Sequence, residues 1–188
     1  TFAPWRDNCY PKGLVQRREL EFASRHVSTI EVNGTWYGAQ KPATYAKWRD
    51  EAPPGFMFSA KAPMRITMAR TLASTGAQVD AFLGDIAVMG AKLGPIVWQF
   101  APTKVFDPED FEAFLSLLPA SVDGLPLRHV LDVRHPSFMD PAYLKLARRH
   151  KAATVFTDSE VHPSFADLTG GFVYARLMNS DAKSESGY

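Results

Sequence analysis

Residues 76–100 read Gly76-Ala-Gln-Val-Asp-Ala-Phe-Leu-Gly-Asp-Ile-Ala-Val-Met-Gly-Ala-Lys-Leu-Gly-Pro-Ile-Val-Trp-Gln-Phe100. Val79, Phe82, Leu83, Ile86, Val88 and Met89 recur at the spacing of one broad apolar helix face, which predicts a helix from Gly76 to Ala91. Lys92-Leu-Gly-Pro95 then supplies a stop, and Ile96–Phe100 is a short apolar run of strand type. A helix that delivers the chain directly into an apolar strand is one unit of an α/β fold.

The unit repeats in both directions. Upstream, Leu14–Arg25 predicts a helix before the β-branched strand Ser28–Val32, and Pro42 opens a helix through Asp50. Pro53-Pro-Gly55 stops that helix ahead of the strand Phe56–Ala60. Downstream, Asp107 caps a helix to Leu118 before the strand Arg128–Val133. A helix over Asp140–His150 leads to the strand Ala153–Thr157, and a connection too short for a full helix leads to Phe172–Arg176. The six strands fit a TIM-type (β/α) barrel lacking its first and last strands, because a complete barrel takes roughly 250 residues. One domain is expected over residues 1–188, cut at both ends: the chain opens on Thr1 and closes in the polar run Asn179–Gly187 before Tyr188.

Composition excludes several classes. At 46% hydrophobic and 22% charged the chain is of ordinary globular type, without fibrous or disorder bias. A formal net charge of +1 supplies no global field toward nucleic acid or an acidic membrane. No run approaches a membrane span, and the one cysteine, Cys9, cannot form an internal disulfide, which fits a cytoplasmic setting.

Functional groups of β/α barrels sit at the carboxyl ends of the strands, where the backbone is fixed and the following loops vary. In order these ends carry Glu31 and Asn33, Lys61, Gln99, Asp132 with Arg134 and His135, Asp158, and Arg176. Cations interleaved with carboxylates and amides around one mouth can balance each other and still orient a polar ligand. Solvated rim residues tied by internal salt bridges are the alternative.

Five runs now stand together: Trp5–Pro11, Ile30-Glu-Val-Asn-Gly-Thr-Trp-Tyr37, Phe58-Ser-Ala-Lys-Ala-Pro63, Leu93-Gly-Pro-Ile-Val-Trp-Gln99 and Asp132-Val-Arg-His-Pro-Ser137. They resemble the YecE-like family, a barrel family catalogued as a domain of unknown function. The resemblance implies a barrel fold and marks Trp5, Tyr10, Glu31, Asn33, Tyr37, Lys61, Gln99, Arg134, His135, Asp158 and Arg176 as signature positions. It brings no established reaction, since one architecture hosts unrelated chemistries. Departures from the family pattern are Asp132 where Glu is commoner, Phe138 in place of Trp, and Met178-Asn179 in place of a His-Gly pair.

The residue types suggest roles. Arg134, Arg176 and Lys61 suit a phosphate or carboxylate; Glu31 or Asp158 would serve as base and His135 as acid; Asn33, Gln99, Asp132 and Tyr37 would complete ligand binding. Each has a bland counterpart: the cations neutralise Glu31, Asp132 and Asp158, and His135 makes a capping hydrogen bond. Glu31, Asp132, His135 and Asp158 have the chemistry of a divalent-metal site, but the adjacent cations oppose it, so no metal ligand and no cofactor is assigned. Lys61–Thr67 followed by Arg70 is expected to be a basic loop able to guide a polyanion. The leading expectation is a barrel binding a small anionic ligand, with hydrolase or isomerase acid/base chemistry. Its rivals are a nucleic-acid-binding or abasic-site-nuclease-like barrel and a non-catalytic ligand-sensing or partner-binding barrel.

Overall fold

Alternation along the strands sets the architecture. The computed structural model describes Trp5, Arg6 and residues 9–179; the terminal positions behind the expectation of cut ends lie outside the described residues. The strands are β1 Thr29–Val32, β2 Met57–Lys61, β3 Leu93–Gln99, β4 Ser121–Val122, β5 Leu125–Pro126, β6 His129–Asp132, β7 Ala153–Thr157 and β8 Tyr174–Arg176. Six pair in parallel in the order β1-β2-β3-β6-β7-β8, and β4 with β5 forms a separate antiparallel hairpin. The helices are α1 Glu19–Ala23, α2 Gly34–Tyr37, α3 Pro42–Glu51, α4 Met64–Thr67, α5 Gly76–Ile86, α6 Pro108–Ser116 and α7 Pro141–Arg149.

One face of β1, β2, β3 and β6 enters the main core. Ile30, Val32, Phe58, Ala60, Ile96, Trp98 and Leu131 pack with α5, α6 and α7 residues such as Phe82, Phe114 and Tyr143. The alternate positions face the other way: Val97, Val130, Ala153 and Val155 form a second, smaller cluster with Phe172 and Tyr174. Because side chains switch faces at every residue, Glu31, Lys61, Gln99, Asp132 and Arg176 fall on this second face at the strand ends.

The sheet is a curled half-barrel. A flat six-stranded parallel sheet would hold its edge strands roughly 24 Å apart at about 4.8 Å per strand. Here β1 and β8, the two edges, are bridged directly: Arg176 Nη2 donates to Glu31 Oε1 and Oε2 at 2.5 and 2.6 Å. The second face is therefore concave.

Local signals explain the boundaries. Asp107 accepts from the backbone of Glu109 and Asp110, and Asp140 from Ala142, each ahead of a proline at the first helical turn. The helix expected to Ala91 ends as an α-helix at Ile86 and passes into 3-10 turns over Ala87–Lys92, broken at Gly90, whose φ is +55°. The stop at Leu93-Gly-Pro95 belongs instead to β3. The helix expected over Leu14–Arg25 is reduced to a 3-10 turn at Gln16–Arg18 and the short α1. The basic loop after Lys61 is corrected to α4, whose Ile66 and Thr67 are buried. The β4–β5 hairpin was not foreseen, although its Asp123-Gly124 turn, with φ +48° and +77°, is a strong hairpin signal. His129 is a satisfied core residue: Trp98 Nε1 donates to Nδ1, and Nε2 lies 2.8 Å from the Pro119 carbonyl oxygen.

β2 and β3 approach closely at Gly94. A Cβ there would lie 2.7 Å from the Phe58 carbonyl oxygen and 2.8 Å from Met57 Cγ, beside a register shift between the strands. Gly94→Ala is expected to destabilise by about 2 kcal/mol through overpacking, read from urea melts.

Candidate functional site

The concave face ends in a set of charges that the sheet brings together from four strands. Asp132, only 4% exposed, accepts from Arg134 Nε at 3.3 Å and Nη2 at 3.1 Å. Its Oδ2 also lies 3.3 Å from Arg176 Nε, within ion-pair distance. That contact is not aligned as a hydrogen bond, so the buried Arg176 N–H has no acceptor. Burial works against the Arg176 charge, but Glu31 and Asp132 more than offset it and keep the guanidinium protonated.

Tyr174 joins the set. Its hydroxyl donates to Glu31 Oε2 at 2.5 Å and lies 2.9 Å from Ser59 Oγ. Ser59 has one proton to serve both Tyr174 and the Pro95 carbonyl, also 2.9 Å away. Burial first, then the Glu31 charge, push the phenol well above its ordinary range, so it stays a donor. Tyr174 and Ser59 were not singled out in the sequence. The available signal was parity: each lies two residues before Arg176 or Lys61 on the same strand face.

Lys61 is 9% exposed, and its Nζ sits 5.7 Å from the centroid of the Trp36 ring. Among the described residues its ammonium has no hydrogen bond or salt bridge. Burial is the main cause that lowers its pKa from 10.5; Arg176 and Arg134 act in the same direction, and Glu31 and Asp132 against it. Three cations thus share the mouth with two carboxylates, both engaged by arginine.

Between the lowered folded value and the ordinary one the unfolded chain holds more protons at Lys61, so stability rises with pH across that interval. Lys61→Met is expected to flatten that rise and to add about 0.5–2 kcal/mol at neutral pH, as removal of a strained site charge does. Thermal melts over a pH series check it.

The remaining sequence-derived positions sit differently. His135 Nδ1 accepts from Ser137 N at 3.1 Å and lies 2.8 Å from Ser137 Oγ, whose oxygen accepts from Phe106 N. Here the ring caps the 3-10 turn Pro136–Phe138. Asp158 accepts from the backbone of Met178 at 2.6 Å and Asn179 at 3.2 Å, tying down the chain after β8. Gln99, in register with Asp132, leaves Oε1 buried without a partner. Asn33 is exposed at the start of α2, and Tyr37 is 73% exposed, edge-on to Trp36. No group of three or more His, Cys, Asp or Glu among the described residues is arranged to hold a metal ion.

The family model described as a protein of unknown function, DUF72, matches residues 1–188. The chain belongs to the DUF72 family. YecE-like is that same family, so the resemblance drawn from the five runs is borne out. No curated protein matches the DUF72 chain in sequence. A DUF72 protein of Thermotoga maritima MSB8 is similar in structure with a TM-score of 0.76 at 20% identity, over 94% of this chain and 70% of that one. A DUF72 protein of Enterococcus faecalis V583 gives a TM-score of 0.70 at 20% identity, over 89% and 72%. At this identity the likeness establishes the fold alone. No helix of the described DUF72 residues is long and apolar enough to cross a membrane.

Proposed function

We propose that this chain forms the wall of a TIM-type barrel and binds, at the carboxyl ends of its strands, a small polar ligand carrying a phosphate or carboxylate. The observation that carries the reading is that the Lys61 ammonium pairs with neither Glu31 nor Asp132, both of which are engaged by arginine. An anion seated there would satisfy Lys61 and the spare N–H groups of Arg134, which spends two of its five on Asp132. The buried, unpartnered Arg176 Nε and Gln99 Oε1 offer further donor and acceptor positions for ligand hydroxyls. Acid/base chemistry, as hydrolase or isomerase, would fall to Glu31, which sits between Tyr174 and Arg176. The cytoplasmic setting remains part of this reading and rests on Cys9, which is free and exposed.

A concave mouth bridged across by Glu31 and Arg176 favours a small ligand over a duplex. The test is a thermal-shift screen against sugar phosphates, nucleotides, short DNA and divalent cations, since selective binding raises apparent stability. Stabilisation by sugar phosphates at low salt, fading as salt rises, is expected. Stabilisation by DNA alone would establish the nuclease-like rival, and no shift with any class would return the cluster to a structural role.

A further inference from the structure

Lys61 differs from the other lysines whose Nζ contacts are known. Lys92 Nζ donates to the carbonyls of Arg49 and Ala52, Lys104 Nζ to Asp110 and two carbonyls, and Lys47 pairs with Glu51. Lys61 Nζ reaches no acceptor among the described residues, although it is the most deeply buried of the four. Its backbone is fixed: Thr35 Oγ1 donates to the Lys61 carbonyl at 2.7 Å, and Ala62 N donates to Val97 O at 2.9 Å. The carboxylates that would neutralise an ammonium are taken, Asp132 by the Arg134 fork and Glu31 by Arg176 and Tyr174. A partly desolvated amine flanked by fixed guanidinium charges is a setting in which lysine becomes a nucleophile.

We propose that Lys61 forms an imine with an aldehyde or ketone whose phosphate or carboxylate is held by Arg134 and Arg176. The Nζ lone pair forms the new C–N bond as the carbonyl π bond opens onto oxygen. The resulting carbinolamine loses its hydroxyl with a proton as water, and the C=N bond forms; no oxidant or reductant is consumed. The Trp36 face beside Nζ suits the protonated imine, a delocalised cation, as well as it does an ammonium. Burial and the two arginines, which lower the lysine's proton affinity, enlarge the fraction of free amine near neutral pH.

The proposal rests on the anion-binding reading, and the experiment separates the two. The full chain is incubated with dihydroxyacetone phosphate and cyanoborohydride, which reduces the imine to a stable amine, and modified lysines are located by peptide mass mapping. Binding of glycerol 3-phosphate, which has no carbonyl, is measured in parallel by calorimetry. The expected result is adduct formation on Lys61 on the order of tenfold faster than on any other lysine. It should be suppressed by inorganic phosphate and lost in Lys61→Met, while background labelling of surface lysines persists. Glycerol 3-phosphate binding with only even, background labelling of all lysines would overturn the imine and leave the anion site standing. Neither binding nor selective labelling would overturn both.

Discussion

Replacing Glu31 with alanine is expected to lower the melting temperature by roughly 10 °C, corresponding to about 3 kcal/mol. Among the described residues, Glu31 is the one carboxylate that joins the two edges of the curled sheet. It accepts from Tyr174 on β8 and from both approaches of Arg176 Nη2, while itself standing on β1. Its removal leaves a half-buried phenol donor and a largely buried guanidinium facing each other without an acid between them. Loss of one partner from such a pair costs more than the pair contributes net, because the orphaned charge stays desolvated. Glu31→Gln keeps an acceptor of the same shape and is expected to lose about half as much. Thermal and urea melts of both variants check this; a loss below about 1 kcal/mol for the alanine variant, as at an exposed pair, would contradict it.

Arg134→Ala is expected to weaken binding of a sugar phosphate by about 2–3 kcal/mol, roughly 30- to 150-fold. The fold should survive, because Asp132 keeps Arg176 Nε at 3.3 Å after the Arg134 fork is gone. This separation of affinity from stability distinguishes Arg134 from Glu31, whose loss damages both. Lys in place of Arg134 should restore little, since a point charge cannot make the planar two-pronged contact. Calorimetric titration of the variants, beside their melting temperatures, checks the assignment. An unchanged affinity would place the anion elsewhere or nowhere.

The parts of the fold that alternation encodes were legible in the sequence. Each apolar strand run appears in the sheet, in chain order and parallel, because short apolar runs alternating with helical segments are the pattern of β/α units. Side-chain parity sends Glu31, Lys61, Gln99, Asp132 and Arg176 to one face, so their shared face, though not their contacts, could be read without coordinates. Boundaries were less legible. The apolar pattern of Val88 and Met89 continues past Ile86, and nothing in it reveals that Gly90 turns the backbone to a positive φ. Contacts between distant strands were not legible at all. Tyr174 looks like one more residue of an apolar run until the curl brings its hydroxyl to Glu31, 143 positions away. The capping role weighed for His135 is the one the structure shows, whereas the tether from Asp158 to the backbone of Met178 depends on the fold.

The anion site at the strand ends is tested most directly by following the lysine ¹⁵Nζ and arginine ¹⁵Nε resonances of the protein during titration with a sugar phosphate. Saturable shifts confined to Lys61, Arg134 and Arg176, described by a single dissociation constant, are expected. Saturation accompanied by shifts only at outlying cations such as Arg70 and Lys104, or the absence of any saturable shift, would contradict the site.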